Sequence, residues 1–289
     1  MKIFSLYLML TCLFLTSCQK EISWGDLPPG GGSTDSLPGN TSGGLLIKSV
    51  SVENGETSTT IYTYDANKQL ETVNTTGTSG GLGISSYRRY YRDAAGRITR
   101  IAAKLPPQNG IEIDTIFTDV YYPDATTFNY TYTVQKISVA GFEVNDSTIF
   151  TYNSNNQLTE GYDYQTSASV IDIQESKYNY AYDAAGNVTT ITGYNNASGT
   201  MQLVSTFTME YDNKINPLGN QKQTFLISGG GKPADTRNNT TLIKFKDVSN
   251  PDEQVITISY TYGSNGFPAT ALSNDPTSNL TTTATFFYK

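Results

Sequence analysis

Histidine is absent from the 289 residues of this chain, and cysteine and tryptophan are scarce, with two and one residues. Without histidine the chain has no imidazole for general-base catalysis, for a catalytic triad or for a histidine-ligated metal site. Charged residues make up only 16% of the chain, against roughly 25% in an ordinary soluble domain. Acidic residues outnumber basic ones by 26 to 19, which argues against a nucleic-acid partner, because phosphates are neutralised by Lys and Arg.

An apolar run long enough to cross a bilayer is also missing. Residues 3–15 form an apolar run of about thirteen, which is the length of a secretory signal core, whereas roughly 20 are needed to span a bilayer. The run ends in Leu15-Thr16-Ser17-Cys18, which resembles the lipobox of bacterial lipoproteins. The resemblance implies a signal peptide at 1–17 and a lipid anchor on Cys18 in the outer membrane. The alternative is an ordinary signal peptide followed by a chance cysteine.

A tether is predicted between the anchor and the folded domain. Cys12 lies in the signal, so the mature chain has no pair of cysteines for a disulfide. Residues 19–44 contain seven glycines and three prolines, a composition that cannot bury enough apolar surface to fold, so 18–44 is a flexible tether. Gln19-Lys20-Glu21 partly resembles a surface-export signal of lipoproteins from one group of Gram-negative bacteria. That match implies exposure on the cell surface, and the periplasmic face is the alternative.

From residue 45 to residue 289 the pattern has a period of two. Lys177-Tyr178-Asn179-Tyr180-Ala181-Tyr182, for example, places three tyrosines on one side of an extended strand. Alternation in Thr-, Tyr- and Ile-rich runs bounded by Gly, Asn and Asp indicates antiparallel strands. The sequence therefore predicts one all-β domain over 45–289.

A motif that combines an aromatic residue, an Asp or Asn and a small-residue turn recurs along this domain. Its acid or equivalent positions are 65, 93, 124, 153, 183 and 212, with spacings of 28, 31, 29, 30 and 29 residues. Asp93-Ala94-Ala95-Gly96 predicts a hairpin turn, in which the Asp side chain accepts backbone hydrogen bonds and the Gly adopts a positive φ. Ile98 and Ile101 are three residues apart instead of two, which suggests a bulge after the turn. The predicted structural turn residues are Asp65, Asp93, Gly96, Asn153, Asp183, Gly186 and Asp212.

The motif resembles the YD repeat, also called the RHS repeat, and Asp93-Ala94-Ala95-Gly96 and Asp183-Ala184-Ala185-Gly186 are its closest copies. The resemblance implies an antiparallel meander of repeated hairpins with a period of about 29 residues. It also makes the chain similar to small repeat-bearing surface lipoproteins of uncharacterised function. Such a meander either curls as an open sheet or closes as an up-and-down barrel, and closure removes the exposed edges. A membrane-spanning barrel is a further alternative, which the Thr, Asn, Lys and Glu opposite the tyrosines disfavour.

The tyrosines divide into two predicted classes. Those next to the turns, such as Tyr62, Tyr64, Tyr178, Tyr180, Tyr182 and Tyr211, are expected to pack on the buried face. Tyrosines outside this register are the candidate ligand contacts: Tyr87, Tyr90, Tyr121, Tyr162 and Tyr194. No acidic loop has metal-binding spacing and no carboxylates pair uniquely, so we expect no metal, no cofactor and no catalytic residue.

The sequence thus predicts a non-catalytic lipoprotein that presents a β-sheet surface to a glycan or to a cell-surface protein. A periplasmic structural scaffold is the alternative, followed by a glycan-active enzyme that uses a carboxylate pair.

Overall fold

The computed structural model describes residues 44–105, 115–139, 142–167, 175–197, 199–218, 223–227, 237–250 and 252–289. The predicted signal peptide, Cys18 and nearly all of the predicted tether lie outside these residues. Within them the chain is almost entirely β-strand, and one helical turn lies at Thr224–Ile227. No helix in this part of the chain has the length and apolar character to cross a membrane.

Sixteen strands follow one another in the chain. In order, β1 to β16 are Leu46–Glu53, Glu56–Tyr64, Leu70–Ser79, Leu82–Arg92, Ile98–Lys104, Ile116–Tyr121, Tyr132–Val139, Phe142–Tyr152, Leu158–Ser167, Glu175–Tyr182, Val188–Ala197, Thr200–Ile215, Asn238–Asp247, Glu253–Tyr262, Pro268–Asp275 and Leu280–Tyr288. Each strand pairs antiparallel with its neighbours in sequence, and β1 pairs with β16. The predicted meander of hairpins is confirmed, and it closes as an up-and-down barrel.

The predicted turn geometry is present at the β4–β5 connection. One carboxylate oxygen of Asp93 accepts hydrogen bonds from the backbone N–H groups of Ala95 and Arg97, both at 3.0 Å. Gly96 has a φ of 85°, as the motif requires. Asn153 holds its turn in the same way through Asn155 and Gln157, because an amide oxygen accepts these bonds as a carboxylate does. At the β10–β11 turn, Asp183 accepts from the N–H of Asn187, and Gly186 has a φ of 89°.

A bulge follows each of these turns, which explains the spacing of three in the sequence. In the β4–β5 pair the register shifts between Tyr91 and Arg92, so that Thr99 is the additional residue. The Thr99 hydroxyl donates to the backbone carbonyl of Tyr91 at 3.3 Å. Ile98 and Ile101 therefore both face the barrel interior, and both are buried.

The barrel end that carries the motif turns, called here the turn rim, is tied together by side chains. Tyrosines near the ends of even-numbered strands donate a hydrogen bond to a carbonyl near the start of the preceding strand. The pairs are Tyr64 with Leu46, Tyr122 with Ile98, Tyr182 with Leu158, Tyr211 with Val188, Tyr260 with Thr240, and Tyr288 with Pro268. Arg92 takes the same position on β4 and donates to Leu70. Burial raises the pKa of Tyr122 to about 12 and also raises that of Tyr64, so both hydroxyls stay protonated and can donate.

Aromatic residues near the turn rim form the core on the inner face of the barrel. Tyr180 and Phe207 are buried there, and Tyr178 and Tyr182 pack against the same cluster. Five of the six tyrosines predicted next to the turns thus belong to the core or pack against it, and the sixth, Tyr211, is only part-buried and bonds to Val188 at the rim. Gly193 on β11 lies beside this packing, and a Cβ added to it would come within 2.6 Å of the Ser205 hydroxyl oxygen on β12.

Asp212 does not form the tight turn that the repeat predicts. Its carboxylate accepts a hydrogen bond from the backbone N–H of Lys214 at 2.8 Å, as in the motif turns, but strand β12 continues to Ile215. The same carboxylate accepts hydrogen bonds from Asn239 on β13 and from the Tyr262 hydroxyl on β14. Asp212 thus keeps the predicted local bond, while the chain leads into the insertion between β12 and β13 instead of a tight hairpin turn. Asp65, by contrast, caps its turn through the N–H groups of Asn67 and Gln69, as expected.

Lys68 is the one non-glycine, non-Asn residue at the positive-φ position of the described motif turns, with a φ of 62°. A side chain in this conformation costs about 1 kcal/mol. We expect Lys68→Gly to raise the free energy of unfolding by about 0.5–1 kcal/mol in urea denaturation. Gly96→Lys should lower it by at least as much, and a destabilising Lys68→Gly would contradict this account of the turn.

The Asp93 turn should also make stability depend on pH. Burial raises the pKa of the Asp93 carboxyl, but the hydrogen bonds and charge of Arg97, at 2.7 Å, outweigh it and hold the pKa below its ordinary value. A carboxyl with a lowered pKa stabilises the fold above its unfolded pKa of about 4 and loses this effect as the pH falls further. The stability difference between wild type and Asp93→Asn should therefore be largest at neutral pH and shrink below about pH 4. A difference that is the same at pH 7 and pH 3 would refute the role of the charge.

Candidate binding surface

The barrel interior near the turn rim is occupied by the insertion between β12 and β13. Leu218, Phe225, Leu226 and Ile227 of this insertion are at most 9% exposed. The Phe225 ring makes an edge contact with Tyr180 on β10, with ring centroids 5.8 Å apart. These inserted residues add to the aromatic core and fill space between opposite walls of the barrel.

Polar contacts hold the insertion in place. The side-chain oxygen of Gln223 accepts a hydrogen bond from the backbone N–H of Ile98 at 2.7 Å, and its nitrogen donates to the Tyr122 hydroxyl. The insertion therefore accepts a hydrogen bond from the backbone at the start of β5.

Tyr90 belongs to this interior and not to the surface. It is 3% exposed, and its hydroxyl donates to the backbone carbonyl of Ile227 at 2.9 Å. The expectation that Tyr90 contacts a ligand is therefore wrong. It lies two residues before Arg92, which holds the core position of the motif, so both side chains face inward.

The other candidate tyrosines lie on the outer face, and three of them share one line across the sheet. Successive cross-strand partners run from β6 to β12, and we call these seven residues the tyrosine row: Tyr121, Tyr132, Ile149, Tyr162, Lys177, Tyr194 and Leu203. Six strand spacings of about 4.8 Å give the row a length of roughly 29 Å.

The tyrosine row is exposed and held in a fixed arrangement. Tyr121 and Tyr132 are 40% and 39% exposed, and their rings stack with centroids 4.3 Å apart and planes 10° apart. Further along, the Lys177 ammonium lies 5.6 Å from the centre of the Tyr194 ring and 3.2 Å from the Glu160 carboxylate. Ile149 and Leu203 are also exposed. Because Tyr121 and Tyr132 stack on each other and Lys177 lies over the Tyr194 ring, these side chains have little freedom left to lose on binding.

One side of the row has a polar border, on which Thr151, Glu160, Asn179 and Thr192 are successive cross-strand partners. The other border is mixed: it runs from Asp119 through Val134, Ser147 and Tyr164 to Glu175, and Ser147 is buried. Glu175 accepts a hydrogen bond from the Asn196 side chain at 2.6 Å. The row is therefore an apolar line with hydrogen-bonding groups along one side and at both ends of the other.

Tyr87, the remaining candidate, is exposed on β4 outside the tyrosine row, where its cross-strand partners are Asn74 and Lys104. Sequence reasoning missed Tyr132, Ile149, Lys177 and Leu203. Residue type and the alternation along each strand do not identify them. Whether residues of different strands lie in one line depends on the registers of six strand pairs. Among the described residues no group of three or more Cys, Asp or Glu side chains is placed to hold a metal ion.

Comparison with known proteins supports the fold. No family model matches the chain, and no curated protein matches it. The barrel is similar to a porin-like protein from Bacteroides uniformis ATCC 8492, with a TM-score of 0.50 and 13% identity over 84% of this chain and 98% of that one. A porin-like protein from Bacteroides vulgatus ATCC 8482 gives a TM-score of 0.51 and 10% identity over 85% and 98%. At this identity the likeness shows a shared fold alone.

The insertion should contribute strongly to stability. Ile227 is fully buried, so Ile227→Ala removes packed methyl groups and leaves a cavity, and we expect a loss of about 3 kcal/mol in the free energy of unfolding. Leu82→Ala is a matched control, because Leu82 is 73% exposed and its truncation should change stability by less than about 0.5 kcal/mol. Equal effects of the two substitutions in urea denaturation would show that the insertion does not pack against the core.

Proposed function

We propose that this chain is a non-catalytic lipoprotein of the outer membrane, anchored through Cys18, whose barrel presents a binding surface to a glycan or a cell-surface protein. The tyrosine row is the observation that carries the proposal. Seven neighbouring strands place aromatic, aliphatic and one basic side chain in one continuous cross-strand line on the outer wall. Exposed tyrosines in a fixed array are typical of recognition surfaces, since a large ring is buried at low entropic cost.

The position of the first strand sets the orientation of such a protein. The N–H of Leu45 donates to the carbonyl of Lys289, and the N–H of Lys289 donates to the carbonyl of Leu45 at 3.0 Å, so the described chain begins at the turn rim. A flexible tether of 26 residues has a reach of roughly 28 Å. The turn rim therefore faces the membrane in this proposal, and the opposite end and the side wall with the tyrosine row face the surroundings.

The outer wall supports a barrel that stands in water. A membrane-spanning barrel carries an apolar band about 25 Å tall on its outer face. Here the outer face carries ion pairs between Arg89 and Glu71 and between Arg100 and Asp119, at 2.8 and 2.6 Å. The β12 to β16 side is rich in threonine and lysine, including Thr208. The insertion buried inside the turn rim further disfavours an open channel.

Protease shaving of intact cells tests the anchor and the side of the membrane together. We expect cleavage in the glycine- and proline-rich segment of intact cells to release a compact fragment that contains residues 45–289, detected by immunoblotting. Cys18→Ser should abolish incorporation of labelled fatty acid and free the protein from the membrane fraction. Protection of the domain until the outer membrane is opened would replace the surface role with a periplasmic scaffold. Labelling that persists in Cys18→Ser would remove the lipoprotein assignment.

A further inference from the structure

Resting on the proposed binding function, we propose that the tyrosine row is a binding site for a linear, neutral polysaccharide that lies along the row and crosses strands β6 to β12. The ligand class follows from three properties of this wall: its shape, its chemistry and its charge.

The shape of the site excludes most protein partners. A stable protein interface covers about 800 Å² and 20–30 residues on each side. The tyrosine row is a single line of seven side chains, roughly 29 Å long, with a polar border on one side and a mixed border on the other. Nor does the closed barrel offer an edge to which an extended peptide can add as a strand, because β1 pairs with β16. A long, thin chain that does not need a strand edge fits this surface.

The site combines apolar and hydrogen-bonding groups, as the surface of a sugar chain does. Sugar rings present apolar C–H faces and hydroxyl groups around their edges. The rings of Tyr121, Tyr132, Tyr162 and Tyr194, together with Ile149 and Leu203, supply an apolar floor. Hydroxyl, amide and carboxylate groups of Thr151, Asn179, Glu160 and Glu175 lie two residues along their strands from that floor, on the same face, and supply donors and acceptors.

The charges on this wall favour a neutral ligand. Lys177, the basic member of the row, is already paired with Glu160. Glu175 lies on one border, and Glu175 and Asn196 bond to each other. The full chain carries a net charge of −7, so a polysaccharide rich in uronic acid or sulfate meets repulsion with no spare cation in the row to offset it.

The test uses the purified full-length chain and native affinity electrophoresis in gels that contain one soluble polysaccharide each. The probes are xylan, mixed-linkage β-glucan, galactomannan and pullulan, with polygalacturonate as the acidic comparison. We expect at least one neutral polysaccharide to retard the protein and polygalacturonate to leave its mobility unchanged. The double variant Tyr121→Ala/Tyr162→Ala should weaken the retarding interaction by about tenfold or more.

Matched controls separate the site from general surface effects. Tyr87→Ala and Phe287→Ala remove rings that are 37% and 43% exposed on the same outer wall but outside the tyrosine row, and both should bind within about twofold of wild type. Tyr121→Phe/Tyr162→Phe keeps the apolar floor and should retain more affinity than the alanine pair. Unchanged thermal midpoints will show that the variants are folded.

Retardation by none of the neutral probes, or equal losses in the row and control variants, would overturn the polysaccharide site. Preference for polygalacturonate would overturn the charge argument and with it the proposal. The proposed function fails separately, through the shaving and labelling experiment. A surface-exposed lipoprotein that ignores every neutral polysaccharide would keep the anchor and point to a protein ligand.

Discussion

The hydrogen bond from a rim tyrosine to a carbonyl near the start of the preceding strand is the interaction on which the barrel geometry depends. At the turn rim a motif turn joins β2 to β3 and β10 to β11, while Tyr64 and Tyr182 join β2 to β1 and β10 to β9. Turns and tyrosine bonds thus alternate around the rim. A net contribution of about 1 kcal/mol per bond is modest, but seven such positions fix one end of the barrel. This explains why tyrosine stands directly before aspartate in the motif. The tyrosine bonds its strand to the preceding strand, and the aspartate caps the turn that leads to the following strand.

The insertion between β12 and β13 fills part of the interior, which is wide because the barrel has sixteen strands. Side chains alone fill a barrel of about eight strands, and at sixteen strands the interior is wide enough for a channel. The tyrosines and phenylalanines of the wall share that space with chain from the insertion, and both belong to one buried cluster. Phe225 and Ile227 supply that chain, and the break in the repeat at Asp212 marks the point where it enters.

Local features were predictable from the sequence and long-range ones were not. The alternation, the turn at Asp93 and the bulge after it follow from residues within ten positions of one another, and the structure has all three. Closure through β1 and β16 joins segments more than 200 residues apart, so no local pattern reveals it. Tyr90 is not part of a Tyr-Asp pair, so the motif alone does not place it in the core, but its spacing of two from Arg92 puts it on the core face. The insertion was invisible because its four buried apolar residues have no strand periodicity.

The tyrosine row shows how the rim and the outer wall depend on each other. Each of its members comes from a different strand, so the row is continuous only if six strand pairs keep their registers at once. A slip of one residue in any pair turns the side chains beyond it to the core face. Registers at the far end of the barrel are set by loops of different lengths, whereas at the rim they are set by the repeated turn, bulge and tyrosine bond. The strand registers fixed at the turn rim therefore determine which side chains align in the tyrosine row. Asp183 and Tyr182 influence that surface through the registers, although they are not part of it.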